Sequence, residues 1–364
     1  MIIGDTTIHI SLKKLAANLA AVKNMAGPEV AVMAVVKANG YGHGAVEIAR
    51  TLLDGGAAYL AVARLEEALS LRAAYPDAPL FVLGYTPDHL LETAVENRIT
   101  LTIFTLHQAR LLSRCAAGLG THAVVHLKVE TGFNRLGTDD IPEMQQILHL
   151  PGLQVEGIYS HLALRDRPSD EAQLSRFLHV VDALEADGFS FRYKHIADSI
   201  AAADYPDFRL NMIRPGAVLY GMKGFESDAL TVQPVMSMHT RIARLRKIGP
   251  GEGVGYDLLW QAERESVIAT LPFGYADGVP RSLGGKGYVT IRGVKCPLVG
   301  IMCMDQCVAD VTDVPGVREG DEVTIYGDGT NSTLSVTEAA RLAGCNRNEI
   351  LCRLTQRPAR IYEE

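Results

Sequence analysis

The sequence has little of what would mark a small secreted, fibrous or nucleic-acid-binding protein. Cysteine is sparse. Cys115, Cys296, Cys303, Cys307, Cys345 and Cys352 are scattered through 364 positions and make no dense framework of the kind that staples small secreted domains, so reduced thiols are expected. Cys303 and Cys307 have the wrong spacing for C-x-x-C and no H-E-x-x-H accompanies them, so no metal site is expected. There is no run of about 18 uncharged apolar residues, and the opening stretch MIIGDTTIHISLKK lacks the basic-then-apolar order of a secretory signal. A cytoplasmic protein without a membrane partner is the expectation. Blocks of like charge are absent and the formal net charge is −7, which offers no basic surface to a phosphodiester backbone, so no nucleic-acid partner is expected. Internal repeats, low-complexity segments and Gly/Ser linkers are missing too.

The remainder has the balance of an ordinary globular protein: 48% hydrophobic and 21% charged residues, in a chain long enough for two domains or a large barrel with an accessory unit. Up to about residue 220, amphipathic stretches alternate with short apolar runs at 30–36, 58–63, 80–83, 100–104, 123–129, 155–160, 193–197 and 210–214. Eight such runs separated by helical segments, among them 11–25, 65–75 and 171–187, predict an α/β fold, a (β/α)8 barrel of the TIM type. A doubly wound open sheet would alternate in the same way; the residues at the strand ends favour the barrel. Beyond about residue 235 the pattern becomes β runs broken by glycine and proline, at 240–248, 267–271, 288–291, 308–311 and 323–326, followed by helices at 337–343 and 348–354. A C-terminal, mostly β domain is predicted there.

Candidate chemistry gathers at the ends of the barrel runs. In VVKANGYGHG, Lys37 leaves the first strand at the catalytic face of a barrel, where a desolvated amine can form an imine with an aldehyde; a strand-end lysine in a surface salt bridge is the plainer reading. Arg135 follows the fifth strand, His161 the sixth and Ser199 the seventh, while Arg214-Pro215-Gly216 ends the eighth. Loops after the last two barrel strands often bind phosphate, a role that Ser199, Gly216 and Ala217 fit. Taken singly, Ser199 is equally a helix cap and Pro215-Gly216 a turn.

The segments VVKANGYGHG, HLKVETGFNRLG, EGIYSHLA, HIADS and NMIRPGAVLYG, then VGYD, LPFGYADG, CMDQ and EILCRLTQR, resemble in that order the motifs of the alanine racemase family. The resemblance covers nearly the whole chain. It implies a fold-type III enzyme dependent on pyridoxal 5'-phosphate, with a cofactor-binding barrel over residues 10–233. A β unit formed by 1–9 and 234–364 would complete the partner subunit's active site in a homodimer. It implies Lys37 as the Schiff-base lysine, Tyr41, Ser199, Gly216 and Ala217 around the phosphate, and Arg214 facing the pyridine nitrogen. His161 would support Arg214, Arg135 would meet the ring's phenolic oxygen and the substrate, and Lys128 is the lysine that the family can carry as a carbamate. Tyr256 would come from the partner as the second catalytic base, with Met304 and Asp305 near the substrate carboxylate and Tyr275 near the entrance.

Racemisation moves a proton off one face of a planar centre and returns one to the other, so Lys37 and Tyr256 on opposite faces form a two-base pair. Arginine at the pyridine nitrogen can only donate, which weakens the electron sink and favours reprotonation over decarboxylation or transamination. A fold-type III amino-acid decarboxylase would share barrel and lysine but is better served by an acid in place of Arg214. Five positions depart from the family's pattern: Gly40 and Glu130, both tolerable changes, and Asp198, Ile301 and Asn348, which bear on the site. Asp198 puts a possible anion beside the phosphate. Asn348 stands where the family has a tyrosine touching that phosphate, and the smaller amide could admit serine as well as alanine, or could simply cap the helix at 348–354.

Overall fold

The computed structural model describes residues 4–225 and 227–364; residues 1–3, part of the segment assigned above to the β unit, lie outside them. The first strand, β1 (Thr7–Ser11), hands over directly to the helix Leu12–Ala26, whose start is fixed by Ser11 Oγ accepting the Lys14 N–H at 3.3 Å. This helix buries Leu15, Leu19, Val22 and Ala26, a stripe at three- and four-residue spacing. Asn18, on the same face, donates to the carbonyls of Leu219 and Gln233 and accepts from the Gln233 N–H, so its burial leaves no amide group unpaired.

Eight parallel strands follow: β2 (Ala31–Val35), β3 (Tyr59–Val62), β4 (Leu80–Val82), β5 (Thr100–Ile103), β6 (Ala123–Lys128), β7 (Leu153–Tyr159), β8 (Tyr193–His195) and β9 (Met212–Ile213). They are neighbours in chain order from β2 to β8, with β9 beside β2. Each coincides with one of the eight predicted runs. Half of them, β2, β3, β4 and β9, are apolar throughout, as strands covered on both faces tend to be. The ring closes between β8 and β9 through a parallel bridge joining Asp198 to Arg214, so the α/β barrel is nearly continuous and its seam lies at two residues already singled out.

The remaining strands, β10 (Met236–Arg241), β11 (Arg244–Ile248), β12 (Gly253–Val254), β13 (Trp260–Gln261), β14 (Ser266–Leu271), β15 (Tyr288–Ile291), β16 (Val294–Val299), β17 (Cys307–Asp310), β18 (Glu322–Tyr326) and β19 (Ala359–Glu363), make the C-terminal, mostly β part. The larger sheet runs β11-β14-β17-β16-β15-β18-β10-β1-β19, with β12 and β13 a separate pair. The single run predicted at 240–248 is two strands: β10 pairs with β1 and β18, whereas β11 pairs with β14, and Ile242 at the break is buried. β1 lies between β10 and β19, antiparallel to the first and parallel to the second. The helix predicted at 348–354 spans Arg347–Arg353 and is capped by Asn346, whose Oδ1 accepts the Asn348 N–H at 2.8 Å. Asn348 is therefore not the cap.

Candidate active site

A cavity of about 470 Å³ opens at the carboxyl ends of the barrel strands. It is lined by Lys37, Tyr41, Lys128, Arg135, His161, Ser199, Arg214, Gly216, Ala217 and Asn348, which brings together every barrel residue proposed from the sequence. Its ionisable lining comprises the basic side chains Lys37, Lys128, Arg135, His161, Arg214 and Arg347, with Tyr41 and Tyr159 and the single carboxylate Asp198. Such a cavity attracts anions.

Lys37 follows β2 and begins a left-handed turn: Ala38, Asn39, Gly40 and Tyr41 have φ of 53°, 54°, 62° and 51°. Three non-glycine residues in this region need outside support. Glu67 Oε1 accepts the Ala38 N–H at 2.6 Å and Asn39 Oδ1 accepts the Ala45 N–H at 2.9 Å. The Lys37 side chain is reachable through the cavity, yet enough protein surrounds its amine that desolvation, followed by the charge of Arg135, lowers its pKa. Lys128 is deeply buried, its pKa pushed well down by burial and by Arg214, and its Nζ lies 4.6 Å from the centre of the Tyr159 ring.

Arg214 is fixed from below. Its Nη1 donates to His195 Nδ1 at 2.8 Å, while Nη2 donates to the carbonyls of Ser160 at 2.8 Å and Ile196 at 2.9 Å. His161 Nδ1 stands 3.4 Å from Nη2, a weaker contact than that of His195. Three of the five guanidinium N–H groups are thereby engaged, leaving Nε–H and one Nη1–H. Burial brings the Arg214 pKa down to about 10 and, reinforced by the charges of Arg214 and Lys128, that of His161 down to about 2. The ring beside Arg214 is a neutral imidazole.

The contact with His195 extends through the barrel. Because Arg214 can only donate, His195 accepts at Nδ1 and carries its proton on Nε2, which points at His126 Nδ1 2.8 Å away. His126 then carries its own proton on Nε2, 3.7 Å from Glu156 Oε2, too long for a hydrogen bond. Glu156 also accepts from Tyr59 at 2.5 Å and Arg192 at 3.0 Å. Burial would raise its pKa, but His126, Tyr59 and Arg192 together bring it to about 2. Burial keeps both histidines neutral. The sequence reading passed over His126, His195 and Glu156. Their signal was present as polar residues inside apolar barrel strands, AVVHLK and LQVEGIY.

On the opposite wall, Ser199 Oγ accepts the Gly216 N–H at 2.9 Å and joins the loops after β8 and β9. A Cβ on Gly216 would come 2.6 Å from the Tyr41 hydroxyl, so only glycine lets backbone, Ser199 and Tyr41 face one small volume. Asp198 accepts from the N–H groups of Ile200 at 2.9 Å and Ala201 at 3.1 Å, which explains its presence as a helix cap. Asn348 Oδ1 is buried with no hydrogen-bond partner.

Tyr256, Tyr275, Met304 and Asp305 do not line this cavity. They belong to adjoining turns of the β unit: the Tyr275 and Ala276 N–H groups donate to the carbonyls of Cys303 and Met304, and Asp305 pairs with Arg357 at 2.8 Å. Tyr256 is 67% exposed, and its neighbours in the chain Leu258 and Leu259 are exposed, as is Met304.

Fold and cavity define a barrel protein with an amine at one strand end, a fixed guanidinium at another and a cationic floor suited to a small anionic ligand. Residues 10–224 match the alanine racemase N-terminal domain and residues 235–362 the alanine racemase C-terminal domain. The chain is 39% identical to the alanine racemase of Desulforamulus reducens, over 97% of this chain and 98% of that one, and 38% identical to that of Methanococcus maripaludis over 97% of each. Among solved structures, the alanine racemase of Clostridium difficile superposes with a TM-score of 0.94 at 34% identity, covering all of this chain and 97% of the other. That of Bacillus anthracis with bound L-Ala-P gives 0.91 at 30% identity, covering all of this chain and 96% of the other. The chain belongs to the alanine racemase family.

Proposed function

We propose that the chain interconverts L- and D-alanine with pyridoxal phosphate as cofactor, by proton transfer between Lys37 on one face of the substrate and the partner subunit's Tyr256 on the other. The observation that carries this reading is the convergence on one cavity of the Lys37 amine, its pKa lowered, with the fully anchored donor Arg214. Family membership over nearly the whole chain supports it.

The donor set suits the cofactor: Tyr41, Ser199 and the backbone at Gly216 and Ala217 would hold the phosphate, and Lys37 the aldehyde carbon. Bound there, the cofactor supplies the delocalisation that makes the α-proton of an amino acid acidic. Lys37 and Tyr256 then break and remake the Cα–H bond from opposite faces, with no net gain or loss of atoms. Arg214, with two N–H groups left and no capacity to accept, would donate to the ring nitrogen and leave it unprotonated. Arg135 would meet negative charge at the other edge, and the neutral amine favoured by burial of Lys128 is the form that can add carbon dioxide, with release of a proton, to give a carbamate. We assign residues 10–233 to the cofactor-binding barrel and 1–9 with 234–364 to the β unit, and read the assembly as a homodimer with shared sites. Tyr275, Met304 and Asp305 would then reach the partner's substrate. We place the protein in the cytoplasm, supported by its six unpaired cysteines; no helix among the described residues is long and apolar enough to cross a membrane.

The test is loss of optical rotation for a panel of L-amino acids with purified, cofactor-supplied protein. Alanine should be racemised fastest; release of carbon dioxide without racemisation would overturn the assignment. A second reading, that serine is also accepted, rests on Asn348 Oδ1, an acceptor buried against the cavity without a partner. Pairing a substrate hydroxyl is worth roughly 1–3 kcal/mol, so Asn348→Tyr should lower the serine-to-alanine ratio of kcat/KM about tenfold. An unchanged ratio would leave alanine as the sole assignment.

A further inference from the structure

We propose that Arg347 is a ligand of the cofactor's phosphate, added by this chain to the barrel-end anion site; the proposal rests on the cofactor reading above. Arg347 lines the cavity together with Ser199, Gly216, Ala217 and Asn348, yet no hydrogen bond or ion pair joins it to any of the described residues, and its Nε is buried without a partner. Burial lowers its pKa and no nearby carboxylate offsets the effect. Exposed arginines of this chain show the contrast: Arg353 pairs with Glu349 at 2.8 Å and Arg264 with Asp313 at 2.6 Å. A half-buried guanidinium whose Nε–H is buried without a partner, and whose other N–H groups bond to none of the described residues, is a site in want of an anion.

Its position says which end of the ligand it meets. A Cβ on Gly224 would lie 1.8 Å from Arg347 Nη2, so the guanidinium rests on bare backbone in the segment after β9, the part of a barrel that receives phosphate. Two neighbours create the need for it. Asp198 occupies the N–H groups of Ile200 and Ala201 that would otherwise face an anion, and adds a negative charge to the lining. Asn348 supplies no phenolic hydroxyl. A planar fork of N–H donors beside them gives a dianion both the missing hydrogen bonds and the missing positive charge, with bidentate geometry open to it.

The experiment titrates apoprotein with pyridoxal phosphate and with pyridoxal, which lacks the phosphate, following the quench of the fluorescence of Trp260, the chain's only tryptophan. Arg347→Gln should raise the Kd for pyridoxal phosphate about tenfold or more while changing that for pyridoxal less than about twofold, and Arg347→Lys should fall between. Asp198→Asn in the Arg347→Gln background should recover part of the loss. A phosphate-to-pyridoxal affinity ratio equal in wild type and both Arg347 variants overturns the proposal. So does a raised KM for alanine at unchanged cofactor affinity, which would assign the guanidinium to the substrate carboxylate. Wild-type apoprotein that binds neither compound would remove the cofactor reading itself, a result distinct from either.

Discussion

The carboxyl end of the barrel and the exposed turns of the β unit hold the two proposed proton-transfer groups, and they are built in opposite ways. Arg214 is 5% exposed and anchored by three donated hydrogen bonds within its own chain. Tyr256 is 67% exposed and Leu259 72%, on a turn where Asp257 and Leu258 adopt positive φ, and Met304 on another turn is 53% exposed. The first region sets its geometry by internal contacts. The second exposes large apolar side chains to contacts that one chain does not provide, as surfaces completed by association do.

The sharpest break of this comparison is Lys37→Ala. It removes a base and the covalent anchor together, so racemisation should fall by about 10⁴-fold or more while the circular dichroism spectrum persists; borohydride treatment should no longer fix the cofactor to the chain. Next, Tyr256→Phe should lower kcat by about 10²–10⁴-fold and move the urea midpoint little, since an exposed hydroxyl contributes within about 0.5 kcal/mol. Mixing the two inactive chains sharpens the point. Heterodimers with one intact site should regain partial activity, and no recovery after verified subunit exchange would place both bases in one chain.

A smaller effect is expected below the cavity. Glu156→Gln weakens charge-assisted bonds and should cost about 1.5–3 kcal/mol at pH 7. The Glu156 pKa is depressed from 4.5 to about 2 in the fold, so its contribution is complete above pH 4.5 and lost as pH falls toward 2. The gap between wild type and variant in urea midpoint should therefore close over that range. His43 and His161, lowered from 6.5 to about 4 and about 2, act differently. Their unfolded forms take up protons below pH 6.5 while the folded rings stay neutral, so both proteins should lose stability with that shallower slope. The smallest effect is Leu259→Ala, which should leave the unfolding of each chain unchanged and weaken assembly by about tenfold, roughly half the burial free energy of a leucine side chain; sedimentation at graded concentration measures it.

The same contrast decides what could be read from the sequence. The eight barrel runs were legible because covered parallel strands are predominantly apolar, and the chain-order neighbours β2 to β8 need no distant partner to be recognised. β19 was missed: the segment ARIYE is short, half charged and partly exposed, and its pairing with β1 joins the two extremes of the chain. The run at 240–248 hid a change of sheet partner at Ile242, which hydrophobicity does not encode. Within the site, residues at strand ends stood out because a lysine or arginine there is conspicuous. His126, His195 and Glu156 did not, because a polar residue within a strand reveals its partners only when three strands are laid side by side. Arg347 carried no sign in the sequence beyond its position next to Asn348.

The placement of β1 bears on how the protein is made. Ile8 and Ile10 are fully buried, yet Thr7–Ser11 lies between β10 and β19, with Thr7 opposite Ala359. At translation rates of about 5–20 residues per second, the strand leaves the ribosome roughly twenty seconds to a minute before its last partner exists. The barrel can close in that interval, because its strands pair in the order of their synthesis. Until β10 emerges the newborn chain carries a strand with two open edges, and from then until β19 emerges one with a single open edge beside the barrel, the kind of segment that chaperones hold and that neighbouring nascent chains can capture.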